Sequence, residues 1–170
     1  MSFELRTPAE VRAQRRSGRP RCYDHLIAAP LWPNYGVNLG TLLRTCDAVG
    51  ACLAVPRLPW IDEALARGNT LSGPACVHRV RRPLDWLSQQ RAGGALVVGV
   101  DLADRAIRLA DLPAARWRTI MVLGHEREGI PPDALGLLDH LVEIPMVGRG
   151  ASLNVAVAGS LVLYKLAGLV

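Results

Sequence analysis

Two apolar runs limit what this chain can fold into. "ALVVGV" (Ala95–Val100) and "IMVL" (Ile120–Leu123) are continuous, with no polar residue breaking either one. A strand with one wet face alternates apolar and polar side chains; a continuous run has no wet face and must be covered on both sides. Helices supply that cover in most parallel sheets. The rest of the chain alternates accordingly. "HLIAA" (His25–Ala29), "ACLAVP" (Ala51–Pro56), "CVHRV" and "LVEIP" read as further strands. Between them, helices are predicted over Leu39–Val49, around Asp62–Arg67, over "PLDWLSQQRA" and "PPDALGLLD", and from Ser152 onward. Six strands alternating with helices predict an α/β fold: an open, mostly parallel six-stranded sheet with helices on both faces. At 170 residues, half of them hydrophobic, one such domain can bury a substantial core.

Of the 20 basic residues only Lys165 is lysine, and the formal net charge is +5. Arginine presents a planar fork of donors matched to phosphate, so this balance suits a polyanionic partner. Genomic base composition also enriches arginine, which makes the positions more informative than the number. Arg6, Arg12, Arg15, Arg16, Arg19 and Arg21 crowd into residues 1–22 beside Gly18 and Pro20. That segment reads either as a basic arm tracking nucleic-acid backbone or as a solvated terminus. Residues 23–170 form the domain proper.

Cys22, Cys46, Cys52 and Cys76 make no CxxC pair and no metal-like spacing with the histidines. Neither a disulfide framework nor a metal site is expected, and Cys46 and Cys52 read as small buried residues. A reducing, cytoplasmic setting follows from that expectation. The first 22 residues lack the apolar core of a secretion signal. The apolar stretch Val155–Tyr164 is too short to span a bilayer before Lys165 interrupts it, so no membrane partner is expected.

Ligands of open α/β sheets bind beyond the carboxyl ends of the strands, and three loops there carry unusual residues. "NLGTLLRTCDAVGA" places Asn38 as a helix N-cap and Arg44 nearly two turns later, on a different side of the helix. "MVLGHEREGI" ends a buried strand at Gly124 and puts Glu126 two residues on, where an acid also suits a helix dipole. "IPMVGRGASLNVAVA" sets Ser152 and Asn154 at the threshold of a small-residue helix that Ser152 could cap. No G-x-G-x-x-G or G-x-x-x-x-G-K-[ST] is present, which removes the usual phosphate cradles. Without a G-x-S-x-G elbow, Ser152 is a poor hydrolase nucleophile. What remains is a pocket of backbone and small residues, suited to an adenosine-like group.

Together the three motifs resemble the SpoU/TrmH branch of the SPOUT family, RNA ribose 2′-O-methyltransferases that use S-adenosylmethionine. The resemblance runs from about His25 to the end of the chain. It implies a C-terminal deep trefoil knot, which no periodicity reveals, and a homodimer with cofactor pockets near the interface. It implies that Val100, Gly124, Ile144, Ser152 and Leu153 line the cofactor pocket, largely through backbone. Asn38, Arg44, Glu126, Ser152 and Asn154 match the polar residues around the reacting ribose. The family assigns activation of the ribose oxygen to the arginine matched by Arg44. A guanidinium does not readily surrender its proton, so phosphate holding and alkoxide stabilisation are the physical alternative. The implied substrate is tRNA, at a D-loop guanosine or the wobble nucleotide. Val170 follows directly on the last helix and the arm is short, which favours tRNA over rRNA. An rRNA methyltransferase and a non-catalytic RNA-binding protein of the same fold are the alternatives.

Overall fold

A computed structural model describes residues 6–7, 9–10, 13, 24–68, 71 and 75–170. The expected basic arm therefore lies almost wholly outside the described residues. Within it, Thr7 N donates to Glu10 Oε2 at 2.6 Å and Glu10 N to Thr7 Oγ1 at 3.3 Å. This is the reciprocal capping box of a helix start, and residues 9–10 are helical.

Along the chain run β1 (Leu26–Pro30), α1 (Gly36–Val49), β2 (Cys52–Pro56), α2 (Ile61–Gly68) and β3 (Val77–Val80). Next come α3 (Pro83–Ala92), β4 (Leu96–Val100), β5 (Ile107–Arg108), β6 (Thr119–Leu123) and α4 (Pro132–Leu135). β7 (His140–Glu143) and α5 (Val155–Leu166) complete the order. The strands make one sheet in the order β3-β2-β1-β6-β4-β7-β5, with every pairing parallel.

Both apolar runs occupy the sheet interior, as their lack of a wet face requires. Successive residues point to opposite faces. Leu26, Ala28, Met121 and Leu123 pack in one core with Leu39, Leu42, Ile61 and Val162 from α1, α2 and α5. Ile27, Ala29, Ile120 and Val122 join the other core with Leu87 of α3 and Ala134 of α4. Helices therefore cover both faces, as expected.

Four expectations require correction. The sheet has seven strands, because Ile107–Arg108 pairs with β7 through Ile107↔Val142 and Arg108↔Glu143; two residues are too few to show any period. α1 begins at Gly36 rather than Leu39, so Asn38 lies inside the first turn and Tyr35 holds the N-cap position. α4 is a single turn, not the whole of "PPDALGLLD". Cys52 and Cys76 form a disulfide with a Cα–Cα distance of 4.9 Å. They immediately precede the Leu53↔Val77 pair of the parallel ladder, so register brings together residues 24 apart in sequence. His78 Nε2 lies 3.6 Å from Cys76 Sγ. These three donors fall within 4.8 Å of one another, a grouping that linear spacing hides. With the disulfide formed, no thiolate is available there to hold a metal.

α1 and α2 meet at a pair of glycines. A methyl group on Gly40 would fall on the Gly68 backbone, and one on Gly68 would fall on Gly40. No side-chain rotation relieves a contact with main chain. Alanine gains about 1 kcal/mol of helix propensity over glycine, against an overpacking cost of about 3 kcal/mol. Gly40→Ala is expected to destabilise the domain by about 2 kcal/mol in urea denaturation, the difference between those terms.

Candidate active site

The carboxyl ends of β1, β6 and β7 carry the loops in which the three motifs meet. Glu126, just past β6, reaches the loop that follows β1. Its Oε2 accepts from Asn34 N at 2.8 Å. Its Oε1 accepts from Tyr35 N at 3.1 Å and from Asn38 Nδ2 at 2.8 Å. Asn38 Oδ1 in turn accepts from Asn154 Nδ2 at 3.0 Å. Asn154 Oδ1 accepts from Ala156 N at 2.9 Å and Val157 N at 3.3 Å, which caps α5. Asn154 is therefore the cap that sequence reading gave to Ser152, and Asn38, 5% exposed, is a buried bridge instead of a cap. Glu126, Asn38 and Asn154 form one hydrogen-bonded chain, with one member from each motif.

Burial alone would raise the Glu126 carboxyl. The donors from Asn38, Asn34 and Tyr35 outweigh that and hold it below its ordinary value of 4.5. A depressed carboxylate contributes stability above its unfolded value and loses it as pH falls through the folded one. Glu126→Gln is expected to cost about 1–2 kcal/mol at neutral pH, because an amide cannot accept all three bonds. The gap in melting temperature between wild type and variant should close as pH is lowered below 4.5.

Beside this chain lies a cleft of 330 Å³. Val100, Gly124, Ile144, Ser152 and Leu153 all line it, as do Glu126, Asp101 and Met146. Its floor is a tight turn after β6, where His125 N donates to Gly129 O at 2.8 Å and Gly129 N to His125 O at 2.9 Å. Gly129 has φ 71°, a conformation costly for other residues. His125 Nδ1 accepts from Arg127 N at 3.2 Å and Glu128 N at 3.3 Å, so it serves the turn. Asp101 fastens that turn to β4, accepting from Ile130 N at 2.9 Å. Sequence reading missed Asp101; its signal is a carboxylate immediately after the buried run "LVVGV".

Arg44 is not brought into the cleft. It lies on the exposed side of α1, and none of the residues lining the cleft is Arg44. α1 and α5 are linked beside it by Thr45 Oγ1 and Ser160 Oγ at 2.8 Å. Among the described residues no helix is long and apolar enough to cross a membrane.

The family model described as SpoU rRNA Methylase matches residues 32–164, which span all three motif loops. The chain belongs to the SpoU rRNA Methylase family. Within reach of that family, it is 31% identical over 169 residues to mouse tRNA (guanosine(18)-2'-O)-methyltransferase TARBP1, covering 95% of this chain and 10% of that protein. The structure of the Aquifex aeolicus TrmH/SpoU tRNA modifying enzyme superposes with a TM-score of 0.76 at 24% identity, over 94% of this chain and 83% of that one. The SpoU methyltransferase AviRb from Streptomyces viridochromogenes, solved in complex with AdoMet, gives 0.69 at 30% identity, over 85% and 60%. The chain spans only 62% and 56% of the A. aeolicus and Escherichia coli tRNA (guanosine(18)-2'-O)-methyltransferases that it matches. A SpoU family member thus has its three motifs joined by hydrogen bonds at one edge of the sheet.

Proposed function

We propose that this chain is an S-adenosylmethionine-dependent RNA ribose 2′-O-methyltransferase, with tRNA as its favoured substrate at a D-loop guanosine or the wobble nucleotide. The observation that carries the reading is the Glu126–Asn38–Asn154 chain set against a backbone-lined cleft. The tRNA-directed names of the mouse and bacterial relatives support the choice of RNA.

The cleft fits the cofactor by its chemistry. Val100, Ile144 and Leu153 provide apolar walls, and at Gly124 a side chain would overlap Gly129 and Ile130, so main chain itself forms the surface. Apolar walls with a few fixed polar groups suit an adenosyl group. When bound, S-adenosylmethionine supplies a methyl group on a positively charged sulfur. The protein's part is orientation: Glu126 fixes the Asn34–Tyr35 loop, Asn154 fixes the start of α5, and Ser152 lines the cleft between them. Fixed geometry of this kind supplies much of the acceleration of a two-reactant transfer. Glu126, already accepting three bonds, acts as a clamp rather than as the base. Arg44 receives the RNA from the exposed side of α1, holding phosphate or the developing alkoxide.

The same reading includes a threaded C-terminal segment. Two features support a knot: β7, the last strand in sequence, lies inside the sheet between β4 and β5, and α5 returns to pack on α1 and β6. It also includes a homodimer. Val157, Leu161 and Tyr164 are exposed at 48%, 42% and 37%, an apolar stripe one helical face wide on a helix whose first residues line the cleft. A second copy covering that stripe places each cleft near the interface. The reading also places the protein in the cytoplasm.

Methyl transfer from labelled S-adenosylmethionine to unmodified bulk tRNA, with rRNA in parallel and nucleosides mapped afterwards, tests the proposal. A labelled 2′-O-methylnucleoside in tRNA is the expected result. Label in rRNA alone would keep the chemistry and replace the substrate. Binding of S-adenosylhomocysteine with no label in either RNA would replace catalysis with RNA binding alone.

A further inference from the structure

The sheet edge that carries the cleft continues past β1 to β2 and β3, and the residues leaving those strands are arginines. Pro56 and Val80 are ladder partners, and Arg57 N donates to Val80 O at 2.8 Å. Arg57 and Arg81 therefore leave neighbouring parallel strands at the same level, and both are exposed. The acids near them are engaged elsewhere: Asp62 with Arg79, and Asp85 with Arg82 at 3.2 Å. Among the described residues, the guanidinium groups of Arg57 and Arg81 have no hydrogen-bond or ion-pair partner. In the sheet order β1 lies between β2 and β6, and the loop that leaves it carries Tyr35, 43% exposed. Its hydroxyl accepts from Arg127 Nη2 at 3.0 Å, and its backbone is held by Glu126.

From these observations we infer that Tyr35, Arg57 and Arg81 form a track for the RNA strand leading away from the cleft, across the carboxyl edge of β1, β2 and β3. The inference rests on the RNA reading above and adds the surface that reading lacks. Strand order sets the sequence of contacts. With about 4.8 Å between neighbouring strands, β3 lies three spacings, roughly 14 Å, from β6. An RNA strand covers that distance in a few nucleotides. Tyr35 offers an aromatic face on which an unstacked base can rest, held at its rim by Arg127. Arg57 and Arg81 then offer two free forks to successive phosphates. Contacts of that kind position a strand without reading its sequence.

The test is the affinity of the full chain for bulk tRNA and for rRNA as a function of salt, with wild type beside Arg57→Ala, Arg81→Ala and Tyr35→Leu. Arg116→Ala is the control: Arg116 is exposed at the amino end of β6, the opposite edge. Each of the two arginine variants is expected to lose several-fold affinity and to lower the slope of log K against log salt by about 0.7–0.9. Tyr35→Leu is expected to lose about tenfold with the slope unchanged, because stacking releases no counterions. Affinity for S-adenosylhomocysteine and melting temperature should match wild type for Arg57→Ala and Arg81→Ala. If these two variants bind RNA with the affinity and slope of Arg116→Ala, the track is wrong while the methyltransferase reading stands. If wild type binds neither RNA, the RNA reading itself falls and takes the track with it.

Discussion

Arg44→Ala is expected to slow methyl transfer to RNA by about 10²–10³-fold, the usual cost of removing one preorganised donor from a developing oxyanion. Binding of S-adenosylhomocysteine should remain at the wild-type level. Both halves follow from where the side chain stands. Arg44 is exposed on α1 and does not line the cleft, so the variant loses nothing that would hold a cofactor. The hydrogen bonds that hold the Glu126–Asn38–Asn154 chain together do not involve Arg44, so that scaffold stays intact. Arg44→Lys separates two roles. A lysine keeps the charge and loses the fork, so partial recovery identifies phosphate or alkoxide stabilisation, whereas a loss equal to alanine identifies a need for the planar guanidinium. Steady-state kinetics with single turnovers, alongside ligand-induced shifts in melting temperature, read the two halves independently. A large drop in S-adenosylhomocysteine affinity would place Arg44 at the cofactor and overturn its assignment to the RNA side.

The strands and most helices were legible because burial leaves a periodic record. "LVVGV" and "TIMVL" had to be covered on two faces, and they lie at β4 and β6 in the sheet interior. Where periodicity carries no information, sequence reading failed in consistent ways. β5 is two residues long. α4 closes after one turn, at Gly136, although Leu137 and Leu138 continue the apolar pattern; they are spent packing against the second core outside the helix. The caps were misplaced for a different reason. Asn and Ser both favour the N-cap position on local grounds, and the choice among Asn38, Ser152 and Asn154 was made by long-range partners. Glu126 takes the amides ahead of α1 and frees Asn38 to bridge. The Cys52–Cys76 pair was hidden because only ladder register makes those residues neighbours. The site followed the same division. Its residues could be named from three motifs, but their connection through Asn38 exists only once the motifs are folded together.

Gly124→Ala should be the most damaging single substitution at the cleft. Gly124 follows directly on β6, and the turn it opens folds back on it through the paired bonds of His125 and Gly129. A methyl group there would overlap the Gly129 carbonyl carbon and oxygen and the Ile130 nitrogen. All three are main-chain atoms, so no rotamer change makes room and the turn itself must open. Opening it strains the Ile130 N to Asp101 bond that fastens the turn to β4, and it displaces Glu126 from the Asn34–Tyr35 loop. The expected cost in stability is about 3 kcal/mol or more, at the upper end for overpacking. The functional loss should exceed the loss of stability. At a concentration one hundred times its Kd, a ligand stabilises a folded protein by about 2.7 kcal/mol. Wild type should show that gain with S-adenosylhomocysteine, and Gly124→Ala should show none at the same concentration, even at temperatures where the variant is fully folded. Gly136→Ala is the matched control, since a methyl group at Gly136 meets nothing within 4 Å. Retention of the full ligand-induced shift by Gly124→Ala would mean that the turn adjusts without losing its shape, and that the cofactor does not lie against Gly124.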